Sequence, residues 1–318
     1  MNAPEITAYW FDPDRLRHQV RRALEGRHPV TVSVGQDPRD VPDAMRRAHV
    51  VVGFELPVHR IAELADLRWI HLVSAGVDHL LPLDWLRPGV ALTNSSGVHA
   101  ELAGQYGVAA LLALNLRLPV HATHQRRGCW EQVFNSPIGG KTVVVVGLGA
   151  IGGSVAQHAR GLGLRVLGVR RSGRRHPQAH AVFRPGALPE LLPRADFVVV
   201  TAPLTPESRH LLGAKELDLL PRHAGVVNMS RADLVDYGAL AAKLEAGELG
   251  GAIVDVCNPE PLPSDSPLWH VRNLLITPHI SSDPTDYVER MTRIFLDNLG
   301  RLLAGRPLRN RVDRAAGY

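Results

Sequence analysis

Residues 141–156 read KTVVVVGLGAIGGSVA, and how this stretch is read decides the fold. Four consecutive valines make the kind of run that a strand buried on both faces requires. Gly147, Gly149 and Gly152 follow in the spacing G-x-G-x-x-G, and the small residues beyond them continue as a helix. In a strand-turn-helix context the first glycine allows a tight turn, the second lets the backbone approach a pyrophosphate, and the third lets helix and sheet pack closely. The opening of the helix, at Ala150, Ile151 and Gly152, then faces the phosphate charge. A merely structural glycine turn would account for the glycines but not for the strand before them and the helix behind.

Working outward, LRVLGV (164–169), DFVVVT (196–201), GVVNMS (225–230), GAIVDV (251–256) and NLLIT (273–277) repeat the pattern, each followed by turn or helix signals. With TVVVVG they make six strands and predict a doubly wound dinucleotide fold. Upstream, ITAYWF (6–11), VTVSV (30–34), HVVVGF (49–54), RWIHLVS (68–74) and VALTNS (90–95) alternate with amphipathic stretches such as DPDRLRHQVRRALEG (12–26), which predicts a second parallel sheet covered on both faces. A long helix is expected from about His99 to Leu118, and DYVERMTRIFLDNLGRLLAG (286–305) reads as a helix packing back on the first domain. The expected class is α/β with two doubly wound parallel-sheet domains. A Rossmann cofactor domain (98–284) is inserted in a flavodoxin-like substrate domain (1–97 and 285–318).

A length of 318 residues suits two such domains. The formal charge of +5 comes from scattered basic residues, nearly all Arg, with no aromatic-interleaved basic stretch, so no nucleic-acid partner is expected. No apolar run reaches the length of a membrane span and the first residues do not resemble a secretory signal, so the expected location is the cytoplasm. Cys129 and Cys257 lack spacing for metal or redox work and read as reduced packing residues; no metal is expected.

The second strand of the dinucleotide unit ends in VLGVRRSGRR (166–175). In the NAD form an acidic residue at this strand end binds the ribose hydroxyls, but here Arg170, Arg171 and Ser172 stand in its place. A guanidinium can bind a 2′-phosphate through paired, charge-assisted hydrogen bonds. The pattern therefore favours NADP(H) and leaves NAD(H) open, with Arg174 and Arg175 read as solvated; an ordinary strand end in an Arg-rich chain is the plainer alternative. Three further stretches, NMSRADLVD (228–236), DVCNPEPLP (255–263) and TPHIS (277–281), each set an ionisable residue just past an apolar strand, where open α/β sheets bind ligands. They offer Arg231, Glu260 and His279. One histidine among 16 means little alone, but three such residues in the unit that carries the glycine turn mean more.

From about Trp69 to Tyr318 the chain resembles the D-isomer-specific 2-hydroxyacid dehydrogenases, through LVSAGVDHL, TNSSGVHA, VVVVGLGAIG, TAPLTPESRHLL, NMSRADLVD, DVCNPEPLPSDSPLW, TPHIS and GRPLRNRVD in that order. The resemblance implies hydride transfer between a nicotinamide cofactor and a small 2-keto or 2-hydroxy acid, at a site between two domains. Arg231 would bind the substrate carboxylate and carbonyl oxygen, to which a bidentate guanidinium is suited. His279 would give a proton to that oxygen, since imidazole gains and loses a proton near neutral pH. Glu260 would orient the ring and stabilise its charged form. The resemblance further implies substrate contacts from the backbone amides of Ser74, Ala75 and Gly76, adenosine contacts from Ala202 and Pro203, a nicotinamide contact from Asp255, and a homodimer formed through the cofactor domains and the helix near 99–120.

The VRRS stretch is similar to the glyoxylate and hydroxypyruvate reductase branch. Departures from the family pattern include Gln105 where a glutamate is usual and RADL in place of an Arg-Gly pair. No regulatory domain is expected after Tyr318, which argues against the long phosphoglycerate dehydrogenases. Ala75 stands where phosphite dehydrogenases carry lysine, and Glu260 where formate dehydrogenases carry glutamine. An NAD-dependent dehydrogenase of 2-hydroxy acids or phosphite, and a cofactor-sensing protein like the corepressor relatives, stay as alternatives.

Overall fold

In the computed structural model, which describes residues 6–9, 32–35, 48–53, 56, 58–61, 64–282, 284–314 and 317, every apolar run quoted above contains a strand. The chain divides into two compact units, Met1–Val98 with Pro284–Tyr318, and His99–Asp283.

The second unit holds β6 (Thr142–Val146), β7 (Arg165–Val169), β8 (Ala181–Phe183), β9 (Phe197–Val200), β10 (Gly225–Asn228), β11 (Gly251–Val254) and β12 (Leu274–Ile276). They form one parallel sheet in the order β12-β11-β10-β9-β6-β7-β8. Chain order reverses between β6 and β9, the switch point at which sheets of this kind bind ligands. The valine run shows why the strands are apolar at every position. Val144 and Val146 join one core cluster while Val143 and Val145 join the other, because successive side chains leave opposite faces of a strand. Both faces are covered: the helices Ala100–Asn115 and Ala150–Gly161 supply Leu111 and Val155 to one layer, and Tyr237–Glu245 supplies Leu240 and Leu244 to the other. A fully buried valine stabilises the fold by about 1.5 kcal/mol or more, so a charge anywhere in β6 would be costly.

Two local features differ from the sequence expectation. The long helix stops at Asn115, and Arg117 adopts a left-handed backbone (φ 56°) before a second helix, Leu118–Arg126, begins. Pro119 is tolerated there because it lies in the first turn, where its missing N–H has no intrahelical acceptor to satisfy. The seventh strand, β8, pairs only with β7 and is half-buried, so it carries no apolar run that would announce it.

In the first unit, β1 (Ile6–Tyr9), β2 (Val32–Gly35), β3 (Val50–Gly53), β4 (Trp69–Leu72) and β5 (Ala91–Thr93) form a parallel sheet ordered β2-β1-β3-β4-β5, the flavodoxin-like arrangement. The expected helix at 12–26 lies outside the described residues. The C-terminal helix Tyr287–Leu303 returns to this sheet and buries Met291, Phe295 and Leu299, spaced four apart on one face. Phe295 stacks on Trp69 with ring centroids 5.1 Å apart. Among the described residues no helix is long and apolar enough to cross a membrane.

Candidate active site

The glycine turn after β6 is built by contact. Gly147 has φ +99°, and a Cβ there would lie 2.6 Å from Ala202 N; a Cβ on Gly152 would lie 1.8 Å from Gly147 O. No side chain is compatible with either position. Gly149 differs, since a Cβ there would meet no protein atom within 4 Å. It is the N-cap of the helix Ala150–Gly161, and no side chain caps the first-turn amides. An open approach to uncapped amides at a positive helix end is what a pyrophosphate needs, so these residues fit a dinucleotide.

Past β7, Arg170 is half-buried and its N–H donates to Phe183 O (3.0 Å), while Arg171 and Ser172 are exposed. Ser172 Oγ accepts from Arg174 N–H at 3.3 Å. Burial, with a contribution from the Arg170 charge, holds the His176 ring below its usual protonation range. On the loop after β9, hydrogen bonds from its own backbone and from Thr205, with a smaller contribution from Arg171, hold the Glu207 carboxyl below the usual range. Arg171 therefore already has an anion in its neighbourhood. In that same loop Ala202 is buried against the glycine turn, and Pro203 is exposed with its carbonyl accepting from Ser208 Oγ (2.8 Å).

Three strand ends carry the ionisable residues. Arg231 follows β10, and its carbonyl accepts from Asn228 Nδ2 (3.0 Å), itself bonded to Tyr237 Oη (3.0 Å). Its Nη1 donates to Ser230 O (2.9 Å). Glu260 follows β11 and is gripped at both oxygens: Oε1 accepts from Cys257 N–H (2.8 Å) and Oε2 lies 2.8 Å from His279 Nδ1. His279 follows β12 with φ +54°, a backbone state that only a few per cent of non-glycine residues adopt. That state is held by Asp255, whose carbonyl accepts from His279 N–H (2.9 Å) and whose carboxylate accepts from Thr277 Oγ1 (2.6 Å), Ile280 N–H (2.9 Å) and Ser281 N–H (2.9 Å).

The structure thus brings Glu260 and His279 into contact and sets Asp255, which is 1% exposed, beneath the histidine turn. Sequence reasoning missed the neighbours that hold these groups. Asp233 Oδ1 accepts from Asn258 Nδ2 (3.0 Å) and its other oxygen pairs with Arg209, linking the Arg231 segment to the Glu260 segment. Tyr106 Oη lies 2.7 Å from Thr277 Oγ1. Such pairs join residues far apart in sequence, and no local spacing marks them.

In the first unit, Ser74, Ala75 and Gly76 form the turn after β4. Ser74 O accepts from Ser95 N–H (2.9 Å), Ala75 O from Asn94 Nδ2 (2.7 Å) and Gly76 O from Ser74 Oγ (2.7 Å). With the carbonyls engaged, the three amide N–H groups donate to no protein acceptor among the described residues.

Cys129 is exposed and does not pack as expected; the chain leaves the helix end there through Gly128. Its Sγ lies with one donor atom each of His124 and Glu131 inside 4.8 Å.

Residues 108–281 match the NAD binding domain of the D-isomer specific 2-hydroxyacid dehydrogenases. The chain belongs to that family. It is an NAD(P)-dependent dehydrogenase by this membership. The glyoxylate/hydroxypyruvate reductase B of Salmonella schwarzengrund is 32% identical over 99% of both chains. The glyoxylate reductase of Korarchaeum cryptofilum is 31% identical over 73% of this chain and 72% of its own. A D-isomer specific 2-hydroxyacid dehydrogenase from Xanthobacter autotrophicus Py2, solved with NADPH and MES, superposes with a TM-score of 0.89 at 29% identity, covering 99% of this chain and 100% of that one.

Proposed function

We propose that this dehydrogenase is an NADPH-preferring reductase that converts a 2-keto acid, with glyoxylate, hydroxypyruvate or a bulkier acid as candidates, to the D-2-hydroxy acid. The observation that carries the reading is the 2.8 Å contact between His279 Nδ1 and Glu260 Oε2, at two strand ends of the unit whose glycine turn fits a dinucleotide. A bound reduced nicotinamide supplies the hydride to the carbonyl carbon. Arg231 holds the substrate carboxylate and carbonyl oxygen, and its planar fork fixes which face of the carbonyl is presented. Glu260 accepts a hydrogen bond from Nδ1–H of His279, the proton staying on the ring, and so keeps the other nitrogen, Nε2, aimed at substrate. Nε2 gives its proton to the carbonyl oxygen during reduction and takes it back during oxidation.

The unbonded amides of Ser74, Ala75 and Gly76 support a second grip on the carboxylate. Arg170, Arg171 and Ser172 would bind the 2′-phosphate, Ala202 and Pro203 would lie beside adenosine, and Asp255 would touch the nicotinamide end. The NADPH in the Xanthobacter structure and the names of the curated relatives support this choice of cofactor and acid. A cytoplasmic homodimer belongs to the same reading. Support for the dimer comes from Trp130 and Phe134, 99% and 88% exposed just beyond the helices of 100–126, where a monomer would leave large apolar rings in water.

The test is loss of NADPH absorbance with a panel of 2-keto acids, followed by chiral analysis of the product. Turnover to a D-2-hydroxy acid is the expected result. No turnover with any acid would overturn the reading in favour of the cofactor-sensing alternative.

A further inference from the structure

We propose that Tyr106 is a positioning residue for His279, acting through Thr277 and Asp255. The inference rests on the reading of His279 as proton donor and adds a residue from outside every strand-end motif. Tyr106 lies on the helix Ala100–Asn115, 171 positions from Thr277 in sequence, yet its hydroxyl oxygen is 2.7 Å from Thr277 Oγ1. Geometry alone leaves open which hydroxyl donates. Proton counting decides it. Thr277 has one hydroxyl hydrogen, which goes to Asp255 Oδ1 at 2.6 Å, because a carboxylate oxygen can only accept. Thr277 Oγ1 is therefore the acceptor toward Tyr106, and the chain runs Tyr106 O–H to Thr277 O–H to Asp255.

Tyrosine is suited to the head of this chain because it stays protonated. Burial is the main cause that pushes its hydroxyl up to about 12. Each donor in a chain ending on a carboxylate polarises the next, so removing the first weakens the second. The chain ends on the carboxylate that also accepts from Ile280 N–H and Ser281 N–H, the two residues after His279. Thr277 O accepts from His279 N–H at 3.0 Å as well, so the threonine touches the histidine turn from both its side chain and its backbone. A residue with φ +54° sits in a small allowed region, and loss of these bonds lets the ring swing away from Glu260.

The experiment compares wild type, Tyr106→Phe, Thr277→Ser, Thr277→Val and the double variant Tyr106→Phe/Thr277→Val, by steady-state kinetics and by amide hydrogen exchange at Ile280 and Ser281. Tyr106→Phe is expected to lower kcat roughly three- to tenfold, the effect of one hydrogen bond. KM for keto acid and for NADPH should stay within about twofold, because Tyr106 is not assigned a contact to either. Thr277→Ser keeps the hydroxyl and should restore near wild-type kcat, and Thr277→Val should resemble Tyr106→Phe. The double variant should be no worse than Thr277→Val alone, since both break one chain. Exchange at Ile280 and Ser281 should quicken in the variants that lack either hydroxyl. Unchanged kcat in Tyr106→Phe, or equal losses in Thr277→Ser and Thr277→Val, would overturn the proposal. If wild type reduces no keto acid, exchange still decides: faster exchange in Tyr106→Phe sustains the positioning chain while the proposed function falls, and unchanged exchange sinks the chain itself.

Discussion

His71 and His279 both belong to the C-terminal ends of parallel strands, and both rings are hydrogen bonded, but the partners differ in kind. His71 is fully buried in the first unit. Its Nε2 lies 3.2 Å from Ser95 Oγ, whose hydrogen goes to Leu72 O at 2.9 Å, so the ring must be the donor there. Nδ1 then accepts from Thr93 Oγ1 at 2.8 Å, and that hydroxyl accepts from Trp69 Nε1, also at 2.8 Å. Every hydrogen in the network is assigned, and a second ring proton at Nδ1 would take from the Thr93 hydroxyl hydrogen the acceptor it now has. Burial drives His71 down to about 3. His279 is 44% exposed, pairs one nitrogen with a carboxylate, and leaves Nε2 without a protein partner among the described residues. One ring is locked neutral by hydroxyls; the other is oriented by an acid with its second nitrogen open. Partner chemistry, more than position at a strand end, separates the structural histidine from the one proposed as proton donor.

The sharpest break would come at His279. His279→Ala removes the proposed proton donor without touching the glycine turn, so keto-acid reduction should fall on the order of 10²–10⁴-fold. NADPH affinity, measured by fluorescence titration, should change little. Turnover near wild type in that variant would remove His279 from the chemistry and erase the contrast with His71.

His71 should matter to stability instead. Its folded pKa of about 3 lies below the unfolded value near 6.5, so the unfolded chain binds the extra proton between those limits. The stabilising contribution is fully present above about pH 6.5 and is lost as pH falls toward 3. At roughly 1.4 kcal/mol per pH unit, acidification from 6.5 to 4.5 should cost about 2–3 kcal/mol beyond whatever other groups contribute. Urea midpoints for wild type and His71→Gln, taken at pH 7 and 4.5, provide the check: the wild-type midpoint should drop more steeply. Parallel losses in the two proteins would show that the ring does not carry this dependence.

The two histidines also mark how far the sequence could be read. The valine runs and the glycine turn are local signals, because burial on both faces forces apolar residues at consecutive positions, and the fold follows from them. Arg231, Glu260 and His279 stand out for a related reason, as ionisable residues within a few positions of the ends of such runs. The hydroxyls around His71, the Tyr106 to Thr277 bond and the Asp233 to Asn258 bond are long-range, and each residue alone reads as ordinary. The half-buried β8 and the helix break at Arg117 were hidden because neither alters the apolar pattern. Cys129 was misread because a free thiol is most often buried, whereas here the chain leaves the helix end toward solvent.

The smallest effect is expected where charges meet solvent, in the stretch after β7. Arg170 is half-buried and Arg171 exposed, with Glu207 near enough to feel the Arg171 charge. A 2′-phosphate would gain charge-assisted bonds there but would compete with that carboxylate and be screened by salt. The preference for NADPH over NADH should therefore be modest, about tenfold to a hundredfold in kcat/KM, or roughly 1.4–2.7 kcal/mol. Arg170→Asp places a ribose-hydroxyl acceptor at the strand end and repels the phosphate, so the ratio should move toward NADH. Both ratios are to be measured at one fixed ionic strength and again at higher salt, where the wild-type preference should shrink while His279→Ala stays equally impaired. A wild-type ratio near or below one would return these arginines to the Arg-rich background of the chain and leave the glycine turn as the whole of the cofactor signal.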